Sequence, residues 1–221
     1  MKTPELIVML THHDVTVKNA KQVFEECKNS KAKFWGFKEV GIPLEEMKEL
    51  YAEMKACGKT TFLEVVAYTE EECMEGARMA VACGVDILMG TMFFDSINEY
   101  AKKNHLKYMP FVGKITGRPS VLEGTIEGMI DEANACINKG AYGIDLLGYR
   151  YTGDPVELNK KFVAKVQGPV CLAGSVDSYK RLDEVKDATS WTFTIGSAFF
   201  ENKFDGTFAE QIDKVIDYMA K

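Results

Sequence analysis

One pattern repeats along the chain: a short apolar run, a polar or glycine-bearing loop, then a stretch with apolar residues at three- and four-residue spacing. The apolar runs are Leu6–Leu10, Phe34–Phe37, Thr61–Val66, Ile87–Met89, Tyr108–Val112, Gly143–Leu147, Val170–Ala173 and Thr192–Ile195. They are short and rich in Val, Ile, Phe and Leu, which predicts strands. Glu45–Cys57, Glu70–Cys83 and Glu127–Lys139 carry the helical period. Gly58, Gly84, Gly140 and Gly168 fall just before strands, where a left-handed residue ends a helix.

Alternating β and α elements imply a parallel sheet, since each crossover needs a helix. An open doubly wound sheet shares that alternation. Eight strand–helix units within 221 residues favour α/β architecture of one kind, a single (β/α)8 TIM barrel over residues 1–221. No Pro/Ser-rich linker interrupts the run. In such a barrel the active site lies at the C-terminal strand ends, so a long residue list becomes short.

Composition changes little. A hydrophobic content of 46% and a charged content of 27% are ordinary for a soluble globular chain. A net charge of −6 without a basic stripe argues against nucleic-acid partners, and an anionic substrate would need a local cluster of donors. The N-terminal run from Met1 to Leu10 is too short for a secretory signal, and no apolar stretch approaches the ~20 residues of a membrane span. Cys27, Cys57, Cys73, Cys83, Cys136 and Cys171 form no C-x-x-C pair. The expectation is buried, unpaired thiols in a cytoplasmic protein without metal or other cofactor, with self-association left open.

The strand ends carry the chemistry. Strands seven and eight both run into Gly-Ser, at Gly174-Ser175 and Gly196-Ser197. Glycine lets backbone approach a ligand closely, and barrels often hold phosphate after these two strands. Lys38, Glu64, Lys114 and Asp145 sit in or at the ends of otherwise apolar strands. Charges there are costly unless paired, so they are expected to converge around a polar substrate as proton donors and acceptors, or to form a structural ion-pair layer. Arg118 and Arg150, in loops after strands five and six, are candidate clamps for an anionic ligand. Adjacent histidines in an extended strand point to opposite faces, so His12 and His13 are not expected to share an ion. His12 is expected to line the pocket as a neutral hydrogen-bonding group, and Asp14 to cap a helix starting near Val17.

The segments Gly143–Gly148, Pro169–Gly174 and Trp191–Ala198 resemble the ribulose-phosphate-binding barrels, especially the N-acetylmannosamine-6-phosphate 2-epimerases and the histidine- and tryptophan-biosynthesis isomerases. The first half is similar only by strand pattern. The resemblance implies a phosphorylated sugar or sugar-like substrate, with phosphate at Gly174, Ser175, Gly196 and Ser197. It also implies a catalytic lysine at Lys38, near the end of the second strand. The epimerases' seventh-strand glutamate has no counterpart at Ala173-Gly174, which leaves Glu64 or Asp145 to act as base. The metal-binding histidines of ribulose-phosphate 3-epimerases are likewise without counterpart. Three readings follow: a metal-independent isomerase or epimerase, a Schiff-base aldolase using Lys114 or Lys38, and a non-catalytic phosphate-ligand-binding barrel.

Overall fold

Each apolar run becomes a strand, and the amphipathic helix behind it returns the chain to the same end of the sheet, so all eight strands are parallel. The computed structural model describes residues 3–221; Met1 and Lys2 of the N-terminal run lie outside the described residues. The strands are β1 (Glu5–Met9), β2 (Phe34–Lys38), β3 (Thr60–Val65), β4 (Ile87–Met92), β5 (Lys107–Phe111), β6 (Ile144–Leu146), β7 (Val170–Leu172) and β8 (Thr192–Ile195). The paired order runs β6-β7-β8-β1-β2-β3-β4-β5. At the remaining seam the Tyr142 N–H donates to the Tyr108 carbonyl at 2.8 Å, so β5 and β6 nearly close a (β/α)8 barrel.

The outer ring comprises α1 (Ala20–Cys27), α2 (Leu44–Ala56), α3 (Glu70–Cys83), α4 (Asp95–Lys103), α5 (Ile126–Asn138), α6 (Pro155–Lys165), α7 (Tyr179–Ala188) and a C-terminal helix, Phe208–Met219. Local chemistry sets several starts. Thr69 and Glu72 form a capping box at α3, and Asp154 caps α6 ahead of Pro155 at its first position. Among the described residues no helix is long and apolar enough to cross a membrane.

Side chains alternate across each strand, and this sorts the core into two layers. One set, including Val8, Leu63, Val65 and Leu88, packs outward beneath the helices. The other set, Ile7, Met9, Phe62, Ile87, Met89, Met109 and Cys171, plugs the barrel interior. Because the interior is plugged, a ligand has access only at the rims.

Four expectations need correction. Gly58, Gly84 and Gly140 take the left-handed conformation, but Gly168 does not: α6 leaves through Val166 in extended geometry. Asp14 caps no helix, since α1 starts at Ala20 with Asn19 as its cap. Instead Thr11–His12 pairs antiparallel with Val15–Thr16, and Asp14 sits in the turn. The loop after β5 is a second hairpin, Lys114–Thr116 against Val121–Glu123. All six cysteines are free and five are buried, but Cys57, just beyond α2, is exposed.

Candidate active site

At the C-terminal rim the inward-facing positions Met9, Thr11, Lys38, Glu64, Ala173 and Thr194 line a cavity of about 190 Å³. Its walls are completed by Asp14, Ser120, Arg150, Gly174, Ser175, Asp177, Gly196, Ser197 and Glu201.

Lys38 and Glu64 are direct neighbours in the β2–β3 register, and the ammonium lies 3.5 Å from Glu64 Oε1. The hairpin after β1 brings the second carboxylate. Thr16 Oγ1 donates to the Lys38 carbonyl at 2.8 Å and accepts from the Lys38 N–H at 3.0 Å, locking the hairpin onto β2. Asp14, held at φ +62° in the turn, then meets Lys38 Nζ at 2.9 Å. Asp145 is fully buried on β6, and neither of its carboxyl oxygens has a hydrogen-bond partner.

Environment separates these groups. Burial pushes the Glu64 carboxyl up, with Lys38 pulling it partly back. Asp145 is raised well above its ordinary value by burial and then by the nearby Glu64 charge, which favours its neutral form. Burial opposes the charge on Lys38, but Glu64 and Asp14 together outweigh it and hold the ammonium above its ordinary value. Asp14 also loses hydration, yet Lys38 and Arg150 keep it below its ordinary value. The floor of the cavity therefore offers one cation held by two carboxylates, one carboxylate whose charge is favoured and one carboxyl whose charged form burial disfavours.

The opposite wall is backbone. Gly174 and Ser175 both take positive φ, +88° and +55°. A Cβ on Gly174 would lie 2.8 Å from Arg150 Cγ, and one on Gly196 would lie 2.6 Å from Thr11 Oγ1. Only glycine permits these approaches. Ser197 opens a one-turn helix, Ser197–Phe200, whose first N–H groups have no partner within the turn. The Arg150 guanidinium reaches to 3.9 Å from Asp14 Oδ2. Two further acids on this wall have cations nearby: Asp177 lies 3.6 Å from Arg181, and Glu201 lies 3.6 Å from Lys203. Arg181 also donates to the Ser175 carbonyl, fixing the loop from behind.

Of the residues singled out from sequence, Lys38, Glu64, Arg150, Gly174, Ser175, Gly196 and Ser197 line this cavity, with Asp145 buried near Lys38 and Glu64. Lys114 does not join them. Its side chain is 72% exposed and pairs with Glu123 across its own hairpin, because the strand ends before it. Arg118 donates to Glu39 at 2.9 Å and to the Val66 carbonyl, tying the second hairpin to β2 and β3 rather than facing the cavity. His12 alternates with the cavity-lining Thr11 and so turns away, stacking on His13 and Phe200. Asp14, Ser120, Asp177 and Glu201 were not expected to line the cavity. All four lie in turns or loops beyond the barrel strands, where no periodicity marks a position.

No protein-family model and no curated protein matches the sequence. Solved structures do. An orotidine 5′-phosphate decarboxylase from Pyrococcus horikoshii superposes with a TM-score of 0.72 at 14% identity, covering 98% of this chain and 99% of that one. An N-acetylmannosamine-6-phosphate 2-epimerase from Clostridium perfringens gives 0.65 at 12% identity, covering 96% and 92%. An N-(5′-phosphoribosyl)anthranilate isomerase from Pyrococcus furiosus gives 0.65 at 12%, covering 98% of each. At such identities the likeness is one of architecture: the chain has the (β/α)8 fold that these three proteins share.

Proposed function

We propose that the protein is an isomerase or epimerase that moves a proton on a small phosphorylated sugar or sugar-like substrate. The observation that carries this reading is Lys38 fixed between Asp14 and Glu64 in the same small cavity as the Gly174-Ser175 and Gly196-Ser197 backbone. The glycine walls and Arg150 suit a phosphate group. That end anchors the substrate and leaves its carbonyl near the β2–β3 strand ends.

Proton abstraction beside a carbonyl needs a base, a stabiliser for the enolate oxygen and a route for the proton to return. Glu64, raised by burial, suits the base. The Lys38 ammonium suits the enolate, because its charge is already fixed and needs no reorganisation when negative charge develops. Return of the proton from Glu64 to the adjacent carbon of the enediolate, as the neighbouring hydroxyl proton passes to the former carbonyl oxygen, then gives the isomer; epimerisation needs the proton delivered to the same carbon on its opposite face. The neighbouring folds named for phosphorylated compounds support the ligand class, and their mixture of epimerase, isomerase and decarboxylase leaves the reaction to be assigned by the site. Schiff-base chemistry would need a neutral Lys38 amine, which both flanking carboxylates oppose.

The test is deuterium exchange in D2O, followed by NMR, on a panel of triose to hexose phosphates and N-acetylhexosamine 6-phosphates. The expected outcome is exchange at a carbon beside the carbonyl of at least one compound, abolished in Lys38→Met. Binding of a sugar phosphate without exchange would favour a non-catalytic barrel.

A further inference from the structure

The hairpin that delivers Asp14 also creates a second cluster at the edge of the cavity, with Glu201 belonging to both. His13 takes φ +50°, so the chain turns at the point where an extended strand would have sent the two histidines to opposite faces. The rings of His12 and His13 instead lie side by side, with centroids 3.8 Å apart. The one-turn helix after β8 places Glu201 against them, with Oε1 3.7 Å from His12 Nε2. One donor atom from each of the three residues falls within 4.8 Å of the others. His12 Nε2 is shielded from solvent and has no hydrogen-bond partner, although an imidazole nitrogen in that position ordinarily has one.

We propose that His12, His13 and Glu201 form a binding site for a divalent transition-metal ion. Two imidazoles and one carboxylate suit Zn²⁺, Ni²⁺ or Co²⁺, whereas Mg²⁺ and Ca²⁺ prefer all-oxygen sets. Ligand atoms around a tetrahedral ion lie about 3.3 Å apart at metal–nitrogen distances of about 2.0–2.1 Å. The His12–Glu201 separation is close to that, and a ring nitrogen of His13, exposed at the turn, lies within 4.8 Å of both. Three protein ligands leave a coordination position for water or an anion.

The position gives the ion a structural consequence. The His13 N–H donates to Ser197 Oγ at 3.1 Å, so the cluster joins the hairpin after β1 to the segment after β8. An ion there would cross-link two of the loops that bound the cavity. This proposal stands on the cluster alone and does not depend on the reaction assigned to the cavity.

Calorimetric titration of the full chain, stripped with chelator, against ZnCl2 and separately NiCl2 tests it. One equivalent per chain is expected, with binding weakened at least tenfold in His13→Ala and in Glu201→Gln. His13 and Glu201 are both exposed, and circular dichroism checks that each variant is folded. Co²⁺ supplies an independent readout: its d–d bands should appear without the intense sulfur charge-transfer band that a site at the exposed Cys57 would produce. Absence of saturable binding to millimolar metal, or undiminished binding in His13→Ala and Glu201→Gln, overturns the proposal.

Discussion

Lys38 and Asp14 meet at 2.9 Å because Thr16 docks the hairpin after β1 onto the Lys38 backbone, not because their strands pair. The ion pair therefore belongs to a loop held in register by two side-chain–backbone hydrogen bonds. Glu64, by contrast, is delivered by the β2–β3 ladder itself.

Lys38→Met should separate charge from packing. The unbranched side chain fills similar space but leaves Glu64 buried without its counter-ion, and breaking a buried pair costs about 3–5 kcal/mol. Glu64 can escape by staying protonated. Its folded pKa, already raised, would rise further, so the variant's deficit should be small near pH 4.5 and grow as pH rises. Urea midpoints between pH 4.5 and 8 measure this, and a pH-independent deficit would indicate loss of packing alone. Proton exchange on any substrate should fall by at least about 100-fold in the same variant.

Asp145→Asn predicts an opposite change in stability. A carboxyl whose folded pKa is raised keeps its proton while the unfolded chain releases it, so stability is greatest below the unfolded value and declines as pH rises. The slope for one group is about 1.4 kcal/mol per pH unit until the folded state also ionises. Asn removes that penalty. The variant should be more stable than the parent at pH 7 and should flatten the decline above pH 4. Asp14, lowered in the folded state, acts in the other direction: its contribution is lost as pH falls below the ordinary carboxylate value. Denaturation across pH 3–8 separates the two windows.

Gly196→Ala should weaken anion binding as well as stability. The new methyl would meet Thr11 Oγ1 at 2.6 Å and the Thr11 carbonyl at 2.9 Å, and backbone cannot swing aside as a flexible side chain can. Overpacking of this kind costs about 1–3 kcal/mol. If the loop holds phosphate, the rise in melting temperature caused by inorganic phosphate should also disappear. Gly58→Ala is the control. It has open space around its Cβ but positive φ, so it should lose stability and keep the phosphate response.

The barrel was readable because strand and helix periods differ and alternate without interruption, and the eight runs expected as strands are the eight strands. The positions of Lys38, Glu64 and Asp145 followed from the same period, since a charged residue on the inward parity of a plugged barrel has nowhere else to go. The misplacements lie where the chain leaves that regularity. Asp14 and His13 depend on left-handed turn geometry, which non-glycine residues seldom adopt and no pattern announces. Lys114 follows a glycine that looks like a strand end, but its fate was decided by pairing with Glu123 nine residues later, a contact without periodicity. Arg118 was drawn to Glu39, just beyond β2, another contact without periodicity.

Lys114 and Lys38 also divide the remaining reaction classes. A Schiff base forms between a neutral amine and a carbonyl, and borohydride reduces it to a stable secondary amine. Lys114 is exposed beyond the cavity, paired with a single partly exposed carboxylate, and such surface pairs contribute about 0–1 kcal/mol. Lys114→Ala should leave both stability and proton exchange within about twofold of the parent. Lys38 faces the cavity but is held protonated by two carboxylates, so it should resist trapping as well. Borohydride treatment with keto-sugar phosphates, read by intact-mass and peptide-mass spectrometry, is therefore expected to give no lysine adduct. An adduct on Lys38 would mean that substrate binding displaces Asp14 or protonates Glu64 strongly enough to release a free amine, and the protein would then be an aldolase. An adduct on Lys114 would require the second hairpin to open and turn inward, overturning the site geometry itself.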